Sequence, residues 1–365
     1  MNILIFFVVL LLLVLVHEWG HFAAARAFGI RVDEFAFGFP PRLFSIRRGE
    51  TEYSFNALPI GGYVKIHGED PEKLPKDDPD RARSLVSRPR WQQAIVLVAG
   101  ITMNIVLAWV LLTVSLAIGT LASEEGAPYP VVNARLMVIA LAPDSPAKEA
   151  GIREFDAIAG VSSGGESIVP VQPSDVVDFV APRAGVPVSF LLERDGKPLV
   201  LSATPKEGIV PDRAAVGITM DRVGLMRVPW YLAPIEGAKR TWFVTKSTAL
   251  GLARFFSDAF VGRADLDAVT GPVGIITAVG VAAESGVAAT LVLAAIISIN
   301  LALINLIPFP ALDGGRLLFV GIEAFLQRPI PARIAGYVNI VGFALLMFLM
   351  LVVTANDIAK LAGFR

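Results

Sequence analysis

The chain contains no cysteine. That excludes disulfides and thiolate metal sites, and leaves no clue to the redox compartment. Histidine is scarce as well: His17, His21 and His67 are the only three. Any metal centre must therefore combine histidine with oxygen ligands. Charged residues make up only 18 % and nearly cancel, to a net −1. Such a balance gives no sign of the basic face that nucleic-acid binding requires. Internal repeats and low-complexity segments are also missing. What is abundant is apolar: 54 % of residues are hydrophobic, and the mean hydropathy is +0.62. The length of 365 residues would suit two or three soluble domains, but this composition argues for a membrane protein.

Four stretches reach the ~20 mostly apolar residues that a bilayer-crossing helix needs. They run from Asn2 to about Phe28, from about Trp91 to Leu121, from about Ala288 to Ile307, and from about Ile334 to Val353. The first lacks the basic n-region of a signal peptide, and its apolar core runs straight into His17 and Glu18. Lys and Arg are frequent over 26–90, and Arg316, Arg328 and Arg333 lie between the third and fourth spans. None precedes the first span. The positive-inside rule then puts both loops in the cytoplasm, with both termini and the segment from about Ser123 to Ala288 outside.

The external segment opens as a small β-rich domain. Val186–Leu192 and Leu199–Ala203 read as strands, joined by an Asp195-Gly196 turn. Ser145 to Gly151 reads as a short helix, with Ser145 as N-cap, Pro146 at the first position and Gly151 closing it. From Trp230 to Phe260 a helix-like stretch rich in Trp and Phe also carries Lys239, Arg240, Lys246 and Arg254. A helix on the membrane surface and an amphipathic helix packed on the domain both fit it. The charged, proline-bearing stretch Glu69–Arg90 reads as a solvated loop.

The chemistry starts at His17-Glu18-Trp19-Gly20-His21, an H-E-x-x-H pattern at the end of an unbroken apolar run from Ile3 to Val16. On a helix, residues four apart share a face, so both imidazoles can reach one metal ion with Glu18 beside them. Ionisable groups on a membrane segment are costly, and a chance match would bury three of them without purpose. In such a site the imidazoles bind zinc and the glutamate takes a proton from the bound water. A third protein ligand is needed. His67, in the polar stretch His67-Gly68-Glu69-Asp70, is a poor candidate. Asp313 is the better one, in Asn305-Leu306-Ile307-Pro308-Phe309-Pro310-Ala311-Leu312-Asp313-Gly314-Gly315. The two prolines interrupt the third span and the glycines permit an unusual turn. Irregular backbone at membrane depth survives where it is buried or lines a wet cavity. The competing reading is a plain helix-end loop in which Asp313 caps the next segment.

Asn104 lies on the second span, and Asn300 and Asn305 on the third. Amides in lipid usually tie helices together, which is the default role for Asn104. Asn305, just ahead of Asp313, is placed to hold a substrate backbone. Residues 51–66 alternate in places and contain Gly61-Gly62, so they read as hairpin-like. An exposed β edge is one way to hold a substrate strand extended, and a simple surface hairpin fits the composition equally well.

Four elements in order resemble the bacterial site-2 proteases, intramembrane zinc metalloproteases of the kind that cleave anti-sigma factors. They are HEWGH (17–21), IGGYVK (60–65), GPVGI (271–275) and SIN…NLIPFPALDGG (298–315). The resemblance covers nearly the whole chain. It implies His17, His21 and Asp313 as zinc ligands, Glu18 as catalytic base, and Asn300 and Asn305 as substrate-positioning residues. It also implies a membrane-reentrant sheet around Gly61, Gly62 and Tyr63 that clamps the substrate, and a single external PDZ domain. There are departures. Phe155 stands where the family's A-G-L-x-x-G-D pattern has its turn glycine, which makes the shape of that loop an open question. Ala99-Gly100-Ile101-Thr102-Met103-Asn104 lacks the proline of the family's A-G-P-x-x-N, and F-G-x-G-P becomes Phe37-Gly38-Phe39-Pro40-Pro41.

The expected fold is therefore an α-helical polytopic membrane protein with about four transmembrane helices, a membrane-associated β-hairpin or reentrant sheet, and an external α+β PDZ domain. Residues 1–121 would hold the first two spans, the HExxH motif and the cytoplasmic-side hairpin and loop. Residues 122–226 would be the PDZ domain, 227–287 an interfacial or amphipathic helical segment, and 288–365 the last two spans with the LDGG motif. The expected setting is the bacterial inner membrane, with the active site toward the cytoplasm. The expected substrate is a single-span membrane protein, such as an anti-sigma factor, with a further peptide or protein ligand at the PDZ domain. Rival readings are a non-catalytic PDZ-bearing scaffold and a transporter. An intact Glu18 argues against the first, and the lack of an inverted repeat against the second.

Overall fold

A computed structural model describes residues 2–69, 74–75, 77–194, 196–211, 213–263 and 270–361. Asp70, Asp195 of the expected turn, and residues 264–269 of the expected interfacial segment lie outside these. The described chain divides into a helical unit (1–115 and 230–365) and a sheet unit (116–229).

Among the described residues, four helices are long and apolar enough to cross a membrane. They lie within α1 (Asn2–Ala27), α2 (Arg90–Ile118), α7 (Val287–Leu306) and α9 (Ala332–Leu361), where the sequence places its four spans. The other helices are α3 (Pro146–Glu149), α4 (Pro173–Val180), α5 (Ala233–Phe260), α6 (Pro272–Glu284) and α8 (Asp313–Leu326).

Strands β1 (Val32–Arg48) and β2 (Thr51–Ile66) follow α1. Residues 51–66 are not a hairpin with a turn of their own, as expected from their pattern. Phe35 pairs with both Tyr53 and Val64, and Phe37 with both Phe55 and Gly62. The two halves of β2 thus flank the start of β1 on opposite sides. The end of β1 folds back outside the first half, pairing Phe44 with Phe55 and Arg47 with Glu52. Ala25, Ile30, Val32, Val64, Ile66 and Val96 form the apolar core that ties this sheet to α1 and α2.

The sheet unit holds β3 (Thr120–Ser123), β4 (Val131–Leu141), β5 (Ala157–Ser163), β6 (Glu166–Ile168), β7 (Val188–Arg194), β8 (Lys197–Ala203) and β11 (Ile218–Met226). They run in the order β3-β11-β4-β5-β7-β8, with β6 on β5. A separate pair is formed by β9 (Lys206–Val210) and β10 (Arg213–Ala215). Val138, Ala147, Val188, Phe190 and Leu192 are fully buried at its core. Ser145 caps α3 as expected, accepting from the Lys148 N–H at 3.4 Å. Phe155, in place of the turn glycine of the resembled pattern, still takes a left-handed conformation: φ is +69°, and its N–H donates to Val138 O.

The Trp- and Phe-rich stretch forms α5, which packs against α7 of the helical unit. Trp109 of α2 donates to Pro234 O at 2.8 Å, and Gly237 leaves no room for a side chain against Thr113. Trp242 and Phe243 on α5 stay exposed, as do Trp230 and Tyr231 just before it.

Candidate metal centre

α1 is one continuous helix through His17 and His21, so their rings project on one face. The crossing with α2 brings that face close to a second backbone. A β-carbon at Gly20 would lie 2.5 Å from Ala99 O, and one at Gly100 would lie 2.3 Å from His21 Nε2. Only glycine permits this approach. His21 Nδ1 then lies 2.8 Å from Val96 O. A carbonyl can only accept, so Nδ1 carries the proton and Nε2 offers a lone pair.

The third partner comes from the interrupted span. α7 ends at Leu306 and α8 begins at Asp313. The turn between them includes Ala311 at φ +73°, whose N–H donates to Asn339 Oδ1 of α9 at 3.2 Å. The glycines after Asp313 do not make an unusual turn, as their sequence suggests. They are helical, and they are small because the loop crosses the first turn of α8. A β-carbon at Gly314 would stand 2.3 Å from Ile307 O, and one at Gly315 2.1 Å from Phe309 O. Arg316 pairs with Glu69 and also donates to its carbonyl at 3.1 Å, while Arg90 pairs with Glu323 at 2.8 Å. These two contacts fasten α8 to the end of β2 and to the start of α2.

His17, His21 and Asp313 thus converge. The two Nε2 atoms are 3.1 Å apart, and Asp313 Oδ2 lies 3.0 Å from His17 Nε2 and 3.3 Å from His21 Nε2. Zinc holds its nitrogen and oxygen ligands at about 2.0–2.2 Å, so tetrahedral corners lie about 3.3 Å apart. The three atoms therefore fit one face of a zinc tetrahedron, leaving a fourth position. With the His21 proton on Nδ1, its Nε2 lone pair faces Asp313 Oδ2, a buried atom with no hydrogen-bond partner among the described residues, and an ion there relieves that repulsion.

Glu18 lies between the two histidines in sequence and interacts electrostatically with all three cluster members and with the Val64 backbone. β2 packs against the motif helix, with Val64 in its second half. Gly62 lies against Ala36 O and Val14 of α1. A β-carbon on Gly61 would strike the Phe39 ring, at 2.7 Å. The Tyr63 ring stacks on Phe39. Asn300 and Asn305 are half-buried on α7 and are not among the three residues that close the cluster. His67 is apart from it too, with its ring between Asp33 at 3.3 Å and Asp78 at 3.5 Å.

Sequence reasoning missed three contributors on α2: Val96 O, Gly100 and Asn104. Asn104 is fully buried with an amide atom 3.2 Å from His17 Nδ1, so it serves more than helix association. The A-G-x-x-x-N spacing was the available signal.

The profile of peptidase family M50 matches residues 5–349. A zinc metalloprotease RasP of Geobacillus kaustophilus is 31 % identical over 98 % of both chains. That of Shouchella clausii is 31 % identical, over 99 % of this chain and all of the relative. The regulator of sigma-W protease RasP of Bacillus subtilis is 30 % identical over 99 % of both. The chain belongs to peptidase family M50, the site-2 proteases, and is a membrane-embedded zinc metalloendopeptidase.

Proposed function

We propose that this chain hydrolyses a peptide bond in or near the transmembrane segment of a single-span signalling protein, of the anti-sigma type. The observation that carries this is the cluster of His17, His21 and Asp313, whose ligand atoms lie 3.0–3.3 Å apart beside Glu18 on a membrane-length helix. These three residues would hold zinc, which when bound polarises the scissile carbonyl and lowers the pKa of a water to about 7. Glu18 takes the proton of the attacking water and returns it to the leaving nitrogen.

A membrane substrate must be unwound before its backbone is open to attack. The second half of β2, with Gly61, Gly62 and Tyr63, ends its sheet, and β2 packs on the helix that carries Glu18, which supports strand addition there. Asn300 and Asn305, half-buried on α7, would hold the substrate backbone. Residues 122–226 would act as a PDZ domain on the external side, taking a peptide or excluding bulky substrates. Residues 227–287 would be the interfacial segment, between the spans of 1–121 and those of 288–365. The positive-inside distribution supports an inner-membrane orientation with the active site toward the cytoplasm.

The test is proteomics of membranes from cells making the parent or Glu18→Gln chain. The intact, membrane-bound substrate accumulates only with the variant. Equal processing by both would remove Glu18 from the mechanism.

A further inference from the structure

Three residues on three helices form one chain of contacts to Asp313. Ser298 of α7 donates to the backbone carbonyl of Asn104 on α2 at 2.8 Å. The Asn104 amide lies 3.2 Å from His17 Nδ1 with Nδ2 as the facing atom, and His17 Nε2 faces Asp313 at 3.0 Å. Ser298 and Asn104 are both fully buried, at 0 % exposure. Among the described residues, the buried Oδ1 of Asn104 has no hydrogen-bond partner, so a half-turn of the amide that exchanges nitrogen and oxygen breaks no other contact. The choice of which atom faces His17 therefore rests on the imidazole.

The two orientations have opposite consequences. If the amide nitrogen faces Nδ1, the imidazole accepts there and its proton sits on Nε2. A protonated Nε2 cannot be a metal ligand. If the amide oxygen faces Nδ1, it accepts the Nδ1 proton and leaves a lone pair on Nε2. His21 already has this arrangement, with Val96 O as acceptor at 2.8 Å. Such partners fix the tautomer, the ring orientation and the basicity of a ligating histidine.

We propose that Asn104 turns its side-chain oxygen to His17 Nδ1 and is the positioning residue that makes His17 a metal ligand. Ser298 in turn holds the Asn104 backbone at the height of His17. This rests on the reading of His17, His21 and Asp313 as zinc ligands. It assigns a role in the metal centre to an amide on a span that carries none of the ligands.

The test uses the full chain in detergent and measures zinc affinity by chelator competition. Asn104→Leu keeps the bulk and removes the acceptor; Asn104→Asp keeps an acceptor and removes the amide donor. Asn104→Leu weakens zinc binding by about 10- to 100-fold, whereas Asn104→Asp stays within about threefold of the parent. A second measurement needs no variant. With only three histidines, 15N ring labelling of the zinc-loaded parent gives a countable spectrum. It shows His17 protonated at Nδ1 and bound through Nε2. Asn104→Leu with parent-like affinity, equal losses in both variants, or a His17 proton on Nε2 would each overturn this inference alone. Zinc affinity unchanged by His21→Ala would overturn the metal-site reading beneath it as well.

Discussion

The His21 imidazole lies over Gly100 of α2, so that a β-carbon there would stand 2.3 Å from Nε2. The neighbouring atom belongs to a ring already fixed by Val96 O at 2.8 Å, and Gly20 holds the two backbones together from the α1 side. Neither helix can yield without moving a proposed ligand. Gly100→Ala is expected to weaken zinc binding about 10-fold or more. Cleavage should fall about 100-fold, the cost of roughly 1 Å of misplacement at a reacting centre. Chelator competition and a cleavage assay on the purified chain check this. Parent-like values in both would mean that α1 and α2 separate freely.

A carboxylate on the last span holds the start of α6. Asp357 is buried and accepts from the Gly271 N–H at 3.2 Å and the Gly274 N–H at 2.8 Å. The GPVGI segment is explained by this contact: a β-carbon at Gly271 would lie 2.7 Å from Asp357 Oδ2. α6 packs on both α1 and α9, so the cap links the motif helix to the last span. Asp357→Leu leaves two buried N–H groups unpaired and should cost about 1–3 kcal/mol. Asp357→Asn keeps one acceptor and should cost less. Thermal unfolding of the two variants in detergent gives the order, and equal melting would remove the cap from the account.

These contacts mark where sequence reading stops. The four spans and the pairing of His17 with His21 follow from local patterns, namely apolar length and helical spacing. The placement of Asp313 followed from scarcity, since a chain without cysteine has few ways to complete a metal site. The amide of Asn104 reads as generic helix glue because its partner depends on how α1 crosses α2. The glycines at 314 and 315 look like a turn signal, but what they respond to is the loop Leu306–Pro310 passing over α8. Residues 51–66 looked like a hairpin because alternation reports which face is apolar, not which strand lies alongside. The double pairing of Phe35 with Tyr53 and Val64 is set by contacts distant in sequence.

Phe155 tests the same limit in the sheet unit. It sits at φ +69° in an exposed turn whose N–H is held by Val138 O. The left-handed conformation costs an L-residue about 1–2 kcal/mol, while glycine instead loses about 0.5–1 kcal/mol through its freer unfolded chain. Phe155→Gly and Phe155→Ala remove the same exposed ring, so their difference isolates the backbone. The glycine variant should be more stable by about 0.5–1 kcal/mol. Denaturant unfolding of the full chain, followed by a probe in the sheet unit, measures it. An alanine variant of equal or greater stability would show that the turn relaxes.

The start of α4 gives the sheet unit an acid-sensitive contact. Asp175 Oδ2 accepts from the Val171 N–H at 2.8 Å and the Gln172 N–H at 2.9 Å. The two N–H groups hold its carboxyl below the usual carboxylate range, that of Gln172 contributing most. Because the folded-state pKa is depressed, this stabilisation is complete above the unfolded value of about 3.9. It is lost as pH falls from there through the lower folded value. Asp175→Asn removes the titrating group but keeps an acceptor, so it should flatten the acid side of the melting profile. At pH 7 the variant should melt slightly lower, because a charged acceptor binds N–H groups more strongly than a neutral one. Melting of parent and variant between about pH 3 and 7 checks both effects, the window being set by the ordinary carboxylate pKa. Parallel profiles across that range would show that Asp175 is not what the acid titrates.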